Sequence, residues 1–114
     1  MPPFEAFRDA FSYYATLLHE LTHWSGHASR LARELRSRFG DEAHAAEELI
    51  AELGAAYLCA DLGIALEPRD DHASYLAFWL KVLRNDPRAI FTAAAHAQRA
   101  ADFLHSPNAA QEAA

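Results

Sequence analysis

The sequence predicts a mainly α-helical protein, a compact bundle of four to five helices. Three observations carry this. Gly and Pro are scarce and fall where helical patterns break. Apolar residues recur at spacings of three and four. No run of alternating β-branched residues is long enough to be a strand.

The elements follow in order. A first helix should start soon after Pro2-Pro3 and run to about Trp24 or Ser25, with Gly26 where a C-terminal cap belongs. "ASRLARELRSR", residues 28–38, places Leu31 and Leu35 four apart among arginines, the pattern of a short amphipathic surface helix closed by Phe39-Gly40. Asp41 is a suitable N-cap for a long helix rich in Ala, Leu and Glu that ends at Gly63. After "IALEPRD", Asp71 caps a helix in which Tyr75, Phe78, Trp79, Val82 and Leu83 repeat at helical spacing. Asp86-Pro87 opens the last helix, with Pro87 in its first turn and an apolar stripe from Ile90 and Phe91 through Ala94, Ala97 and Ala101 to Leu104. Residues 1–105 read as one domain, and "SPNAAQEAA", 106–114, as a disordered tail with little to bury.

Composition narrows the function. Of the 114 residues, 52% are apolar and 23% charged, a globular balance with room for a single core. A net charge of -6 argues against a general grip on nucleic acid, which needs clustered positive charge. Cys59 is the only cysteine, so it forms no intramolecular disulfide and suits a reducing cytosol. No secretory leader pattern opens the chain, and no stretch approaches the roughly 18 uninterrupted apolar residues of a membrane span. These features predict a cytoplasmic protein with no membrane partner.

"LLHELTHWSGH", residues 17–27, carries the chemistry. His19 and His23 are four apart, one turn along one helical face, so two imidazoles can reach one ion. Glu20 is one step round the helix, suited to take a proton from water as a general base. This is the logic by which H-E-x-x-H supplies two zinc ligands and a base. A catalytic zinc needs a third protein ligand and an open position for solvent. Glu48 and Glu52 lie one turn apart on the long helix, whereas Glu47 points about 100° away. Glu48 is therefore the expected third ligand. Glu52 is the expected acceptor of a ligand histidine's free ring N–H, and a solvated acidic stripe is the alternative for the pair. His27 is a rival ligand, but its spacing misses the extended histidine motif, whose third histidine would stand at Ser29. His72, Tyr75 and His96 are candidate oxyanion stabilisers, and that role stays unassigned.

Three blocks, "YYATLLHELTHWSGH", "RFGDEAHAAEELIAELGAAYLCADLGI" and "AFWLKVLRNDPRAIFTAAAHAQRAADFL", together resemble the zincin-like metallopeptidase domain of ArdC-type antirestriction proteins. The resemblance runs from about Met1 to His105. It implies His19, His23 and Glu48 as zinc ligands, Glu20 as catalytic base and one Zn²⁺ per chain. It also implies the helical part of a zincin with the N-terminal sheet largely absent, because this chain begins just ahead of the zinc helix. The expected function is zinc-dependent hydrolysis of a peptide or protein substrate in defence against host restriction. Single-stranded DNA would bind through an N-terminal domain missing here, and an exposed apolar face would favour a homodimer. The competing expectation is a non-catalytic zinc-stabilised module that binds single-stranded DNA or a restriction-system protein through Arg30, Arg33, Arg36 and Arg38.

Overall fold

A computed structural model of the chain describes residues 1–64 and 70–106, with side chains described outside 70–76. Among the described residues five α-helices follow one another: α1 (Ala10–Ser25), α2 (Arg36–Phe39), α3 (Ala43–Leu62), α4 (Asp70–Asn85) and α5 (Ala89–His105). Among the described residues there is no strand, in accord with the expected mainly α bundle. The expected tail lies, beyond Ser106, outside the described residues, as do the side chains of Asp71, His72 and Tyr75.

α1 begins later than expected because Asp9 stops it. Asp9 is extended and its side chain accepts the Ser12 backbone N–H at 2.7 Å, satisfying one donor of the first turn. Ahead of it, Phe4–Ala6 form a single 3₁₀ turn, and Phe4 and Phe7 fold back edge-on against Tyr13, with ring centroids 5.0 and 5.3 Å away. Ala15, His19, Thr22 and Ser25 recur at intervals of three and four and are buried together.

The amphipathic helix expected over 28–38 does not form. The N–H groups of Leu31, Ala32 and Arg33 turn back to the carbonyls of Ser25, His27 and Gly26, capping the end of α1, and Ala32 has φ +51°. Arg33 and Leu35 turn inward, so the local pattern yields to tertiary contacts of a buried guanidinium. Helix remains only at Arg36–Phe39, followed by a 3₁₀ turn at Gly40–Glu42. Asp41 falls inside that turn, Glu42 takes the N-cap position of α3, and neither supplies a side-chain cap. The other end of α3 is as expected. Gly63 has φ +71° and its N–H bonds the Ala60 carbonyl, while Ile64 N–H bonds that of Cys59. α4 starts at Asp70, so Asp71 lies within it, and Pro87 sits in the turn that precedes α5.

α3 is the central element and packs most extensively on α5 and α1. Toward α5 it contributes Ala46, Leu49 and Ile50, which cluster with Ala93, Ala97 and the inward Leu35. Full burial of Ile50 contributes about 1.5–3 kcal/mol. The buried residues of α5 are mostly alanines, including Ala97, Ala100 and Ala101, which let the helix lie close to its neighbours. This alanine face departs from the expected stripe: Ile90 and Phe91 are exposed, Phe91 by 74%. In α4, Val82 is buried as expected, but Phe78 is exposed.

Candidate metal centre

The α1–α3 seam is polar where the α3–α5 seam is apolar. α1 and α3 come close at Gly54, where an added Cβ would lie 2.6 Å from Thr22 Cγ2. Thr22 is completely buried and its hydroxyl donates to the Leu18 carbonyl at 2.8 Å, so its branch cannot swing aside. Glycine at 54 lets the two helices meet closely enough for their side chains to converge.

His19, His23 and Glu48 do converge, with ligand atoms all within 4.8 Å of one another. The two Nε2 atoms are 3.1 Å apart. Glu48 meets the two rings with different oxygens, Oε2 at 3.3 Å from His19 Nε2 and Oε1 at 3.1 Å from His23 Nε2. Donors about 2.0–2.1 Å from a tetrahedral cation stand roughly 3.3 Å from each other, so the two imidazoles and the Glu48 carboxylate are spaced on the scale of three ligands around one divalent ion.

The outward-facing ring nitrogens explain why the lone pairs point inward. His23 Nδ1 meets Glu47 Oε2 at 2.7 Å. His19 Nδ1 lies 2.8 Å from Glu52 Oε1, although it makes no well-aligned hydrogen bond there. A carboxylate beside each Nδ1 favours a proton on that nitrogen and leaves Nε2 as an acceptor. With both Nδ1 atoms protonated, two Nε2 lone pairs 3.1 Å apart beside a carboxylate would repel, and a cation between them relieves that as a ring proton does in the metal-free chain.

Charge follows the same logic. Burial works against a charged His23, but the hydrogen bond to Glu47 and the charges of Glu48, Glu47 and Glu20 outweigh it and raise its pKa. Burial opposes the Glu47 carboxylate too. The Arg33 guanidinium and His23 overcome that and hold its pKa below the usual carboxylate range. Arg33 Nε and Nη2 reach the two Glu47 oxygens at 2.7 and 2.8 Å, a bidentate pair.

The structure therefore brings together four of the five residues singled out in the sequence, His19, His23, Glu48 and Glu52. Glu20 is exposed beside them at the surface of α1. His27 is not in the cluster, because its Nδ1 is engaged by the Ser29 backbone N–H and hydroxyl at 3.1 and 2.9 Å. His96 sits beside Arg99, and its pKa is lowered by burial first and by the Arg99 charge second. Glu47 and Arg33 were missed. The available signal was a count of donors: two ligand histidines present two Nδ1–H groups, and Glu52 serves only one.

The expected arginine cluster does not form one basic face. Arg33 is buried, Arg38 is paired with Asp86 at 2.8 Å, and Arg30 lies over the Trp24 ring, 3.9 Å from its centroid.

A family model described as zincin-like metallopeptidase matches residues 1–96. The chain belongs to that family. The plasmid-encoded antirestriction protein ArdC shares its fold. Its metal-free crystal structure superposes with a TM-score of 0.79 at 53% identity, covering 92% of this chain and 38% of ArdC. Its Mn(II)-bound structure gives 0.72 and 48%, covering 92% and 37%. In sequence, the uncharacterized protein y4eC of Sinorhizobium fredii is 56% identical over 106 residues, 93% of this chain and 34% of y4eC. DNA primase TraC of Escherichia coli is 48% identical over 104 residues, 91% of this chain and 10% of TraC. The chain thus spans about a third or less of the curated relatives described. Among the described residues no helix is long and apolar enough to cross a membrane.

Proposed function

We propose that this chain is the zinc-dependent peptidase module of an antirestriction protein. The observation that carries the proposal is the convergence of His19 Nε2, His23 Nε2 and the Glu48 carboxylate: the two nitrogens are 3.1 Å apart, and Glu48 Oε2 and Oε1 lie 3.3 and 3.1 Å from them respectively. A single Zn²⁺ per chain held by these residues would supply Lewis acidity, polarising a carbonyl and making water nucleophilic near neutral pH. The Mn(II)-bound structure of ArdC supports a divalent cation in this fold.

The remaining roles fall to side chains. Glu47 and Glu52 orient the two imidazoles. The His23 side chain is 24% exposed against 9% for His19, so the centre opens to solvent and substrate on the His23 side. Glu20, exposed on the same helix, takes the proton of the attacking water and later returns it to the leaving amine. The substrate is a peptide or protein in the cytoplasm, and exposed Phe78 and Phe91 offer apolar surface for a homodimer. Single-stranded DNA would be bound by regions outside this chain, since the dispersed arginines do not favour a binding module here.

The test is a comparison of wild type and Glu20→Gln, both loaded with zinc, on an unfolded protein substrate. Turnover should fall about 10²- to 10⁴-fold while zinc content stays the same. Equal turnover by the two proteins would refute the assigned base.

A further inference from the structure

Among the described residues, the pair Glu47–Arg33 has no part in holding an ion directly, yet it is built with more contacts than its position beside a surface loop requires. The Arg33 side chain is 2% exposed. Besides its two bonds to Glu47, Nη2 donates to the Thr22 carbonyl at 2.9 Å and Nη1 to Ser25 Oγ at 3.3 Å. The guanidinium thus ties α3 to the end of the histidine helix.

Gly26 completes the cradle. Its φ of -80° and ψ of -7° suit any residue, so no backbone strain calls for glycine there. Space does: a Cβ at 26 would stand 2.6 Å from Arg33 Nη2 and 2.8 Å from Cζ. Because the guanidinium is fixed on four sides, it cannot retreat from that atom without losing bonds.

The proton on His23 gives the pair something to decide. On the Nδ1 side the ring has one acceptor in reach, Glu47 at 2.7 Å; on the Nε2 side it has Glu48 and the His19 Nε2, each at 3.1 Å. A neutral imidazole carries one N–H, and whichever side holds it determines the other nitrogen's role. A proton on Nδ1 presents the Nε2 lone pair to an ion. A proton on Nε2 blocks that lone pair. Arg33 grips both Glu47 oxygens and so keeps the nearer acceptor in line with Nδ1.

We propose that Glu47 and Arg33 are positioning residues of the metal centre, which set the His23 tautomer so that Nε2 faces the ion, with Gly26 giving the guanidinium its clearance. The inference rests on the metal-centre reading above and adds to it a tautomer switch that reads independently of activity.

The test uses the metal-free chain and Mn(II) titration. Long-range ¹H–¹⁵N spectra of the imidazoles, at a pH where His23 is neutral, should show its proton on Nδ1 in wild type. In Glu47→Leu it should move to Nε2, and Mn(II) affinity should fall about 10- to 100-fold. Glu47→Gln keeps an acceptor oxygen and should retain the Nδ1 proton with a smaller loss. Arg33→Lys and Gly26→Ala should weaken Mn(II) binding by successively less. Ile50→Val, a core change remote in chemistry from the centre, lowers stability and should leave both readouts unchanged. Absence of Mn(II) uptake by wild type would overturn the metal centre itself. Uptake that Glu47→Leu leaves intact, with the His23 proton still on Nδ1, would overturn this inference alone.

Discussion

Against α5, α3 presents Ala46, Leu49 and Ile50 to the alanines of its neighbour; against α1, the same helix presents Glu47, Glu48 and Glu52 to two histidines. The first seam is stable by itself, because removing apolar area from water needs no third party. The second seam is held by charge and hydrogen bonds and gathers lone pairs around a point where a proton or a metal cation can sit. One helix thus separates folding from function: its apolar side fixes the scaffold and its acidic side loads the site. Changes to the two seams should therefore have different signatures.

The largest effect is expected at the polar seam. His19→Ala should abolish stoichiometric zinc binding, measured by elemental analysis, while the metal-free protein keeps its helical circular dichroism. Full zinc content in that variant would break the contrast between the seams. Gly54→Ala sharpens it, because this residue sets the α1–α3 distance. The added Cβ would press on Thr22, costing about 1–3 kcal/mol in chemical denaturation. Zinc affinity should fall as well, since the histidines are pushed from Glu48.

pH should separate the metal-free and loaded states. His23 has a raised pKa in the folded, metal-free chain. Its stabilisation is complete below the unfolded histidine value of about 6.5 and is lost as pH rises through the folded value. A cation needs the deprotonated ring, so its contribution runs the other way. The rise in Tm on adding zinc should therefore grow between about pH 6 and pH 8. A constant rise would mean that His23 does not bind the ion. The smallest effect is expected at Asp86→Asn, which breaks the exposed pair with Arg38. Thermal unfolding and zinc affinity should both stay close to wild type.

Much of this division was legible in the sequence, for reasons that differ by residue. The four-residue spacing of His19 and His23, and of Glu48 and Glu52, places each pair on one face of any helix, so their convergence needed only that the two helices pack. Gly63 ended α3 as expected, because a left-handed cap depends on local chemistry. The segment 28–38 misled because its spacing is helical while Arg33 gains four hydrogen bonds by leaving the helix, a gain visible only once Glu47 and the end of α1 are in place. The stripe on α5 was misjudged for a related reason: size marks apolar residues as core in a sequence, but close helix packing here selects alanines and leaves Phe91 outside. Glu47 went unassigned because helical geometry turns it away from Glu48, and nothing in one helix shows where the partner's second histidine will sit.

Anomalous diffraction at the zinc edge, from crystals of the chain grown with zinc, tests the central claim most directly. One peak per chain should appear at about 2.0–2.2 Å from His19 Nε2, His23 Nε2 and a Glu48 oxygen, with Nδ1 of His23 still on Glu47. A peak on His27 or elsewhere, or none between the two imidazoles, would contradict it.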